Sequence, residues 1–439
     1  MSNTNTQEAI EKIKKHLKNK GFYQYQDTAS FLNALSSELG EATSLRNKRN
    51  ILFEHSWQDL TSFGEPRSLL VIELGGSFLR LMDVEIVETS LIEIKKTEKI
   101  DFYNKDRIYT PDVLFGDIVE HLNSFVGDSK RNQIKDSVLI FTFPIEQYKR
   151  NDGSIDAIAI KINKKIKHNK IVGIKVGKTF EELAHQHGYQ NLKVSVTNDT
   201  VTSLLSSKYI ELNGNHSFDA AINIIVGTGT NIAVGYNRAD QNNKLFIANT
   251  EFGYFKCFPM SEYDTNFNQT SSTKDQSLAE KMISGLWQPH IFKLIVEDLI
   301  SAKLLTAEAL QFLENTELQG HIIEQKLANE TDKSEIYKLL DFIWMEQTVR
   351  GATLCGITLA HTMSTILEKT KTERIRIGLV EEGGVLKHAR QFATTMYQTI
   401  DHQLSELAYR EKIKYTSLNP DNKSALGSAV LNSIIRKRL

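Results

Sequence analysis

LVIELGGSFLRL at residues 70–81 and INIIVGTGTNIAV at residues 222–234 share one pattern, an apolar strand, a glycine turn and a second strand. A glycine turn between two buried strands lets backbone N–H groups approach an anion closely, because no Cβ stands in the way. One such turn in each half of the chain predicts two lobes that hold a phosphate chain between them. An enzyme that uses a nucleotide is therefore the leading hypothesis.

The composition of the chain excludes several classes of protein. Its 439 residues suffice for two or three domains with sizeable cores. The 53 basic and 54 acidic residues nearly balance, so no net charge favours a nucleic acid or a membrane surface. No apolar run approaches the ~18 residues of a membrane span, and the polar segment 1–20 does not resemble a signal peptide. The two lone cysteines are typical of a reducing compartment, so the chain is predicted to be cytoplasmic. From its charge balance and its lack of an apolar span, it is predicted to bind neither nucleic acid nor membrane.

The order of apolar and amphipathic segments predicts two similar lobes. Residues 1–61 are typical of a helical segment, which we expect to pack on the large domain. A small α/β domain is predicted for residues 62–210 and a large α/β domain for residues 211–439, because both begin with strand, turn, strand, strand and helix. The last helix, at about residues 425–437, is expected to return to the small domain. The predicted fold class is α/β with a cleft between the lobes.

A further informative stretch, VTNDT at residues 196–200, follows a β-rich run and opens a helix. A carboxylate at such a corner faces the cleft, and the nearby helix N-terminus stabilises its charged form. Asp199 could then accept a proton from a substrate hydroxyl group, as a catalytic carboxylate does in phosphoryl transfer. The same residue types are typical of a helix N-cap, so the stretch alone leaves both interpretations open.

Five short motifs follow one another along the chain. They are FTFPIEQ at 141–147, NDTV at 198–201, VGTGTN at 226–231, NTEFG at 249–253 and EKMISG at 280–285. In these motifs the chain resembles the eukaryotic hexokinases, over nearly its whole length. The resemblance implies a two-lobed fold of the actin-like, ribonuclease-H-like kind. It also implies transfer of the γ-phosphoryl group of ATP to the 6-hydroxyl group of a hexose, with Asp199 as general base.

The resemblance implies a sugar site made of carboxylates, amides, a hydroxyl group and one amine. Its residues would be Thr142, Lys161, Asn198, Asp199, Asn231, Glu251 and Glu280. Such groups can satisfy several sugar hydroxyl groups at once, and they discriminate strongly because an unpaired buried polar group is costly. Lys161 stands in IAIKI at residues 158–162, which replaces the family's Trp-Thr-Lys-Gly-Phe.

The nucleotide side departs further from the family pattern. The residues that the resemblance implies for ATP are Gly75, Gly76, Ser77, Arg80, Gly227, Thr228, Gly229, Thr230, Gly383, Ser424 and Gly427. Glu73 replaces an aspartate and is expected to lie near Mg²⁺, with water between them. Phe78 replaces a polar residue beside the phosphates, and Ala425 and Leu426 replace a glycine and a lysine near the adenosine. These changes predict weak ATP binding or a preference for another nucleotide.

The resemblance leaves three functions open. The first is an ATP-dependent kinase of glucose, mannose or fructose. The second is an N-acetylglucosamine kinase of the same family, because unusual positions such as Trp287 and Pro289 lie in loops around the sugar. The third is a sugar sensor with little activity, because altered nucleotide motifs accompany an intact sugar set. In each case the partner is a small sugar, and the protein is expected to be a monomer or a homodimer.

Overall fold

The computed structural model describes residues 3–26, 28–104, 106–162, 166–214, 216–329 and 334–437. The elements of the first half are α1 (Asn3–Asn19), α2 (Thr28–Ala42), β1 (Ile51–Leu52), β2 (Arg67–Leu74), β3 (Phe78–Ile86), β4 (Ile92–Asp101), α3 (Pro111–Val126), β5 (Asp136–Phe141), β6 (Ile145–Lys149), β7 (Ile155–Ala159), α4 (Val176–Gln186), β8 (Lys193–Thr197) and α5 (Asp199–Asn213).

The second half is richer in helices. Its elements are β9 (Ala220–Val226), β10 (Thr230–Arg238), β11 (Lys244–Asn249), α6 (Glu262–Thr270), α7 (Leu278–Ile283), α8 (Gln288–Ser301), α9 (Glu308–Glu314), α10 (Gly320–Asn329), α11 (Glu335–Thr370), β12 (Ile375–Glu382), α12 (Gly384–His388), α13 (Phe392–Glu406), β13 (Ile413–Leu418) and α14 (Lys423–Arg436). Short 3₁₀ helices occupy Gln24–Gln26, Asp128–Gln133, Ala239–Gln241 and Phe252–Tyr254.

The two halves form two sheets with the same strand order. The first sheet runs β4-β3-β2-β5-β8, and the second runs β11-β10-β9-β12-β13 with β1 added beside β11. In each sheet the first three of these strands are antiparallel, and the last two join them in parallel. The two glycine turns occupy equivalent places, between β2 and β3 and between β9 and β10. The predicted α/β fold with two similar lobes is therefore confirmed.

The segment that follows α2 differs from the helical interpretation of residues 1–61. The carbonyl oxygen of Ala42 accepts hydrogen bonds from the side chains of Asn47 (3.1 Å) and Asn50 (2.7 Å). Asparagine side chains compete in this way with the backbone bonds that would continue a helix. The chain then forms β1, in which Ile51 and Leu52 pair with β11. Residues 43–61 thus carry a strand of the second sheet instead of a further helix.

The last helix of each half covers the sheet of the other half. α5 packs on β9 and β10, α14 packs on β2 and β3, and the two helices cross each other. Their contact belongs to an apolar core shared by both sheets, which includes Leu204 of α5 and Val430 of α14. At the crossing, a Cβ on Gly427 would lie 1.8 Å from the carbonyl oxygen of Thr202. The two helices can therefore approach this closely only because residue 427 is glycine.

A two-stranded hairpin, β6–β7, is fixed to α4 by one buried carboxylate. Asp156 is fully buried and accepts a hydrogen bond of 2.8 Å from Nη2 of Arg150. It also accepts bonds from the backbone N–H groups of Gly177 (2.7 Å) and Lys178 (3.1 Å) in the first turn of α4. Because these contacts hold the hairpin, they also position the segments that lead into β6 and out of β7.

The two cysteines and the helices can be compared with the sequence-based expectations of two lone thiols and of no membrane-spanning segment. Cys355 is buried, Cys257 is half-buried, and both are free thiols. Burial raises the pKa of both thiols, so neither has the character of a reactive cysteine. Among the helices in the described ranges, none combines the length and the apolar character needed to cross a membrane.

The crossing of α5 and α14 can be tested by adding one methyl group. Gly427→Ala is expected to lower the free energy of unfolding by about 1–3 kcal/mol, because the helices must move apart to admit the Cβ. Gly116→Ala in α3 is the matched control, since a Cβ there would meet no atom within 4 Å. This control is expected to raise stability by up to ~1 kcal/mol. Urea denaturation measures both, and equal changes in the two variants would contradict the close crossing.

Candidate active site

The corner between β8 and α5 carries the candidate base. Asn198 is the N-cap of α5, and its Oδ1 accepts a 3.0 Å hydrogen bond from the backbone N–H of Thr200. Asp199 is the first residue of the helix, and its Oδ1 accepts a 2.7 Å bond from the same N–H. The helix N-terminus directs its partial positive charge at this side chain. The cap and the candidate base are therefore neighbouring residues, and one does not exclude the other.

The electrostatic surroundings of Asp199 suit proton transfer. Burial, together with the like charges of Glu382, Glu73 and Glu251, raises the pKa of Asp199 to about 7. Glu382 is held in place by a 2.6 Å hydrogen bond from Oγ of Ser203, which lies one turn further along α5. A carboxylate whose pKa lies near neutral pH can take up and release a proton under physiological conditions. The corner thus has the electrostatic character of a general base.

A chain of side-chain hydrogen bonds leads from this corner to a second carboxylate. Nδ2 of Asn231 donates to Oγ1 of Thr200 (2.9 Å) and to Oδ1 of Asn249 (2.8 Å). Nδ2 of Asn249 donates in turn to Oε1 of Glu251 (3.0 Å). Oδ1 of Asn231 accepts a bond from the backbone N–H of Phe252 (3.2 Å). The amide of Asn231 is therefore engaged by protein groups and links α5 to Glu251.

Glu251 is buried in a strained backbone conformation. Its φ of 52° lies in the left-handed region, which costs a residue other than glycine about 1–3 kcal/mol. Burial raises the pKa of its carboxyl group, whereas the charge of Arg49 and the hydrogen bond from Asn249 lower it. Asn249 and Arg49 were not among the sequence-predicted site residues. Asn249 could have been predicted, because it is the first residue of the motif NTEFG. Arg49 belongs to none of the five motifs.

A third carboxylate, Glu280 of α7, lies against the second glycine turn. Its Oε2 accepts a 3.4 Å hydrogen bond from the backbone N–H of Thr230, and its Oε1 accepts one of 3.4 Å from Nε1 of Trp287. A Cβ on Gly229 would lie 2.7 Å from Oε2. Glycine at this position therefore makes room for the Glu280 carboxylate. Burial raises the pKa of Glu280.

Two predicted site residues lie beside the β6–β7 hairpin. Oγ1 of Thr142 donates to the carbonyl group at the end of β2 (3.0 Å), beside the first glycine turn. Nζ of Lys161 reaches the second half of the chain and donates to Oε1 of Gln276 (3.0 Å). Its charge lowers the pKa values of Glu251 and Glu280. Lys161 therefore joins the carboxylates of the second lobe, whereas Thr142 is tied to the first glycine turn.

The first glycine turn is flanked by side chains from three strands. Glu73, Arg80 and Lys99 lie directly opposite one another on β2, β3 and β4. Nη1 of Arg80 forms an ion pair of 2.8 Å with Oε2 of Glu73. The ring centroid of Phe78 is 5.1 Å from the guanidinium of Arg80 and 4.6 Å from Nζ of Lys99. A Cβ on Gly75 would lie 2.7 Å from this ring. Phe78 therefore covers one face of Gly75 and contacts both cations.

The second glycine turn borders a cavity of about 810 Å³. Gly227 and Thr228 line it, together with residues of α8, α10, α11 and α12. Gly383 has a φ of 107°, and a Cβ there would lie 2.2 Å from the carbonyl oxygen of Val226. The close contact between these two backbones thus requires glycine at 383. His321 of α10 and His388 of α12 also line the cavity, and no sequence motif predicted them.

The remaining residues predicted for the nucleotide side are dispersed. The exposed tips of the two turns are formed by Gly76, Ser77 and Thr228. Ser424 lies beside Glu73 at the first turn, where it opposes the rise that burial causes in the pKa of that carboxyl group. Gly427 lies in the helix crossing, so packing alone requires a glycine there. Neither Ser424 nor Gly427 is among the described residues that line the cavity.

No carboxylate cage for a metal ion is present in the described part of the chain. Across those residues, no three His, Cys, Asp or Glu side chains are grouped so that they could hold a metal ion. Glu73, predicted to lie near Mg²⁺, is already paired with Arg80. Mg²⁺ commonly keeps several waters and is bound through one or two carboxylates and the phosphates of a substrate. Only that mode of binding fits this donor set.

Comparison with known proteins identifies a family over both halves of the chain. One family model, described as hexokinase, matches residues 9–209, and a second with the same description matches residues 221–434. The "Hexokinase-like 1 protein" of Arabidopsis thaliana is 24% identical over 91% of this chain and 86% of its own length. "Hexokinase-7" of Oryza sativa subsp. japonica is 23% identical over 91% of both chains. Human "Hexokinase-2" is 24% identical, and the match spans 40% of its length.

A solved structure shares the fold. The hexokinase from Schistosoma mansoni complexed with glucose superimposes with a TM-score of 0.71 at 17% sequence identity. The match covers 98% of this chain and 99% of that one. At so low an identity the likeness establishes the two-lobed fold and leaves the chemistry to the site residues.

The raised pKa of Asp199 predicts a cost to folding that grows with pH. In the unfolded chain this carboxyl group has its ordinary pKa of 3.8, against about 7 in the folded protein. Between pH ~4 and ~7 the folded protein therefore binds the extra proton, and the free energy of unfolding falls as the pH rises. Asp199→Asn removes the charge, so it is expected to raise the melting temperature more at pH 8 than at pH 5.

Thermal unfolding of the wild type and the variant at both pH values measures this difference. Asp83→Asn, in β3 and away from the glycine turn, serves as the control. Its effect is expected to be the same at pH 5 and pH 8. A shift for Asp199→Asn that is equally large at both pH values would contradict the raised pKa.

Proposed function

Since the chain belongs to the hexokinase family of sugar kinases, we propose that it transfers the γ-phosphoryl group of ATP to the 6-hydroxyl group of a hexose. The observation that carries this proposal is Asp199, at the first position of α5 with a pKa of about 7. A base of that strength accepts the hydroxyl proton while the sugar oxygen attacks the phosphorus atom. The rest of the catalysis is positioning and stabilisation of charge.

The carboxylates Glu251 and Glu280 would hold the sugar. Ionised carboxylates accept hydrogen bonds from hydroxyl groups, and a hexose presents a ring of such donors. The amides of Asn231 and Asn249 keep Glu251 aligned with the first turn of α5. Lys161 comes from the other lobe and already donates to Gln276, so it would contribute to the site from across the cleft. Closure excludes water that would otherwise take the phosphoryl group.

The nucleotide would lie between the two glycine turns. The cavity of about 810 Å³ beside Gly227 is within the size range of small-molecule sites and would accept the nucleoside. Arg80 and Lys99 would face the phosphates at the first turn. Mg²⁺ would be held by phosphates and water in the region of Glu73 and Glu382, and it would neutralise charge on the transferring group. The like charges around Asp199 favour a cation there.

Specific contacts favour two other functions in the same family. The sugar-sensor alternative is supported by the first turn, where Phe78 covers Gly75 and Arg80 engages Glu73. The N-acetylglucosamine alternative is supported by Trp287, whose indole donates to Glu280 and lies against Phe267 at a ring distance of 5.6 Å. Both alternatives use the same sugar carboxylates, so they differ from the proposal only in acceptor or in turnover.

Turnover of a sugar panel with Mg-ATP tests the proposed kinase activity. Glucose, mannose, fructose and N-acetylglucosamine are offered, and the sugar 6-phosphate is measured. Asp199→Asn is expected to lower kcat about 10²- to 10⁴-fold, because it removes the base, while sugar affinity by calorimetry is retained. Asp83→Asn is expected to leave both quantities unchanged.

Each outcome of the panel supports one function. Turnover confined to N-acetylglucosamine would replace the proposed acceptor. Saturable sugar binding without turnover for any sugar would support the sensor. Full turnover by Asp199→Asn would refute the assignment of the base.

The cations at the first glycine turn yield a separate prediction for ATP. Phe78→Leu removes the aromatic face that contacts Arg80 and Lys99. Because these contacts hold Arg80 and Lys99 in place, their loss is expected to raise the KM for ATP, by no more than the ~30-fold that two contacts of about 0.5–1 kcal/mol each correspond to. Lys99→Met is expected to act in the same direction.

Steady-state kinetics at saturating sugar measure the effect of both substitutions. Lys96→Met is the control, because Lys96 lies on the same strand but contacts Phe125, with 4.3 Å between Nζ and the ring centroid. Its KM for ATP is expected to be that of the wild type. A lower KM for ATP in Phe78→Leu would show that the ring obstructs the nucleotide.

A further inference from the structure

Glu280 of α7 receives one hydrogen bond on each of its two carboxylate oxygens. Oε2 accepts a bond of 3.4 Å from the backbone N–H of Thr230, at the second glycine turn. Oε1 accepts a bond of 3.4 Å from Nε1 of Trp287, in the loop between α7 and α8. Because the two donors come from separate elements, they define the plane of the carboxylate as well as its position.

These two bonds leave the carboxylate able to bind a ligand. Their length exceeds the range of about 2.7–3.2 Å that is usual for an N–H donor, so each bond is weak. An ionised carboxylate has about four lone-pair sites. Two of them are directed at the protein, and the other two can accept stronger, charge-assisted bonds from hydroxyl groups.

The backbone of Trp287 is fixed on both sides. Its N–H donates to the carbonyl oxygen of Ser284 (3.1 Å), the C-cap residue of α7. Its carbonyl oxygen accepts a bond of 3.0 Å from the N–H of His290. Pro289 stands in the first turn of α8, where its missing N–H leaves no bond unmade and its fixed φ favours the helix. The indole therefore projects from a well-defined junction between α7 and α8.

The indole ring is also held by two aromatic neighbours. Its centroid lies 5.6 Å from the ring of Phe267 in α6 and 6.1 Å from the ring of His290 in α8. The rings of Phe267 and His290 stack on each other at 5.6 Å, with 9° between their planes. Aromatic pairs at such distances prefer particular mutual orientations. The three rings together thus set the direction in which Nε1 of Trp287 points.

The chain has two further tryptophans, and each makes the same kind of bond elsewhere. Nε1 of Trp57 donates to Oε2 of Glu211 (2.9 Å), and Nε1 of Trp344 donates to Oε2 of Glu324 (2.5 Å). Both of these indoles are buried, whereas Trp287 is half-buried. All three tryptophans lie in the described ranges, and of the three Trp287 is the one whose acceptor is a candidate sugar residue.

We infer that Trp287 is a positioning residue of the sugar site, whose indole N–H holds Oε1 of Glu280 so that the carboxylate keeps one orientation toward the sugar hydroxyl groups. The inference rests on the proposed function for its link to sugar. The terminal torsion of a glutamate side chain is broad on its own, so the carboxylate plane would turn without this donor. Burial raises the pKa of Glu280, and the bond from Trp287 acts against that rise, which favours the ionised acceptor.

The variant Trp287→Phe tests the inference, because it removes the N–H and keeps an aromatic ring in the cluster. Calorimetry with the sugar that the wild type binds most tightly is expected to show a Kd about 3- to 10-fold higher, the loss of one weak hydrogen bond. The kcat is expected to change less than about twofold, since Asp199 is untouched. Trp57→Phe is the matched control: it deletes an indole–glutamate bond of the same kind and is expected to leave the sugar Kd unchanged. A wild-type Kd in Trp287→Phe overturns the inference.

A double-substitution cycle separates this role from a merely structural one. If Trp287 acts through Glu280, then Trp287→Phe is expected to change the sugar Kd less than about twofold once Glu280→Gln has altered the acceptor. A residue that only packs α6 on α8 would give the same fold-change in both backgrounds. That additive outcome overturns the inference.

The free protein offers a measurement that needs no sugar. The indole N–H resonance of Trp287, assigned by its loss in Trp287→Phe, is expected to shift as Glu280 titrates, and this shift is expected to vanish in Glu280→Gln. The resonance of Trp57 is expected to be the same in both proteins. A Trp287 shift that persists in Glu280→Gln overturns the inference. Absence of sugar binding by the wild type refutes the proposed function and the sugar role of Trp287 together, and it is recognised before any variant is compared.

Discussion

The crossing of α5 and α14 is the contact on which the rest of the molecule depends. Each helix leaves its own half of the chain and packs on the sheet of the other half, so neither sheet is covered by its own segment alone. The same crossing sets the direction of α5, whose first residue is Asp199. Gly427 admits the carbonyl oxygen of Thr202 at this point. Gly427 in the last helix therefore helps to set the position of Asp199 in the first half of the chain.

The candidate site brings together buried carboxylates whose charges are unfavourable for folding. Burial raises the pKa values of Asp199, Glu251 and Glu280, and like charges add to the effect for the first two. Such an arrangement costs folding free energy, and it is typical of sites that need groups with shifted pKa values. Arg49 and Lys161 approach from separate segments and offset part of the repulsion. The left-handed backbone of Glu251 adds strain of the kind found at functional sites.

The two glycine turns have equivalent places in the fold but different chemistry. At the second turn the absence of a side chain on Gly229 leaves room for the Glu280 carboxylate. Gly383 allows a close contact with the backbone of Val226. At the first turn a ring covers Gly75, and the charged groups of Glu73, Arg80 and Lys99 line up across three strands. The repeat in the sequence therefore predicted the topology of both turns. The repeat did not predict that the Phe78 side chain would cover the backbone of Gly75 at the first turn.

The sequence by itself determined the two-lobed α/β fold, because the strand–glycine–strand pattern and the five motifs are local and each half contains enough of them. It also singled out Asp199, Glu251 and Glu280 as candidates. Only the tertiary structure decided their states, since burial and neighbouring charge set a pKa. It alone brought the charge of Lys161 to Glu251, and it assigned Gly427 to packing. Such contacts join residues far apart in the chain, and they follow from strand register and helix crossing, which no local pattern encodes.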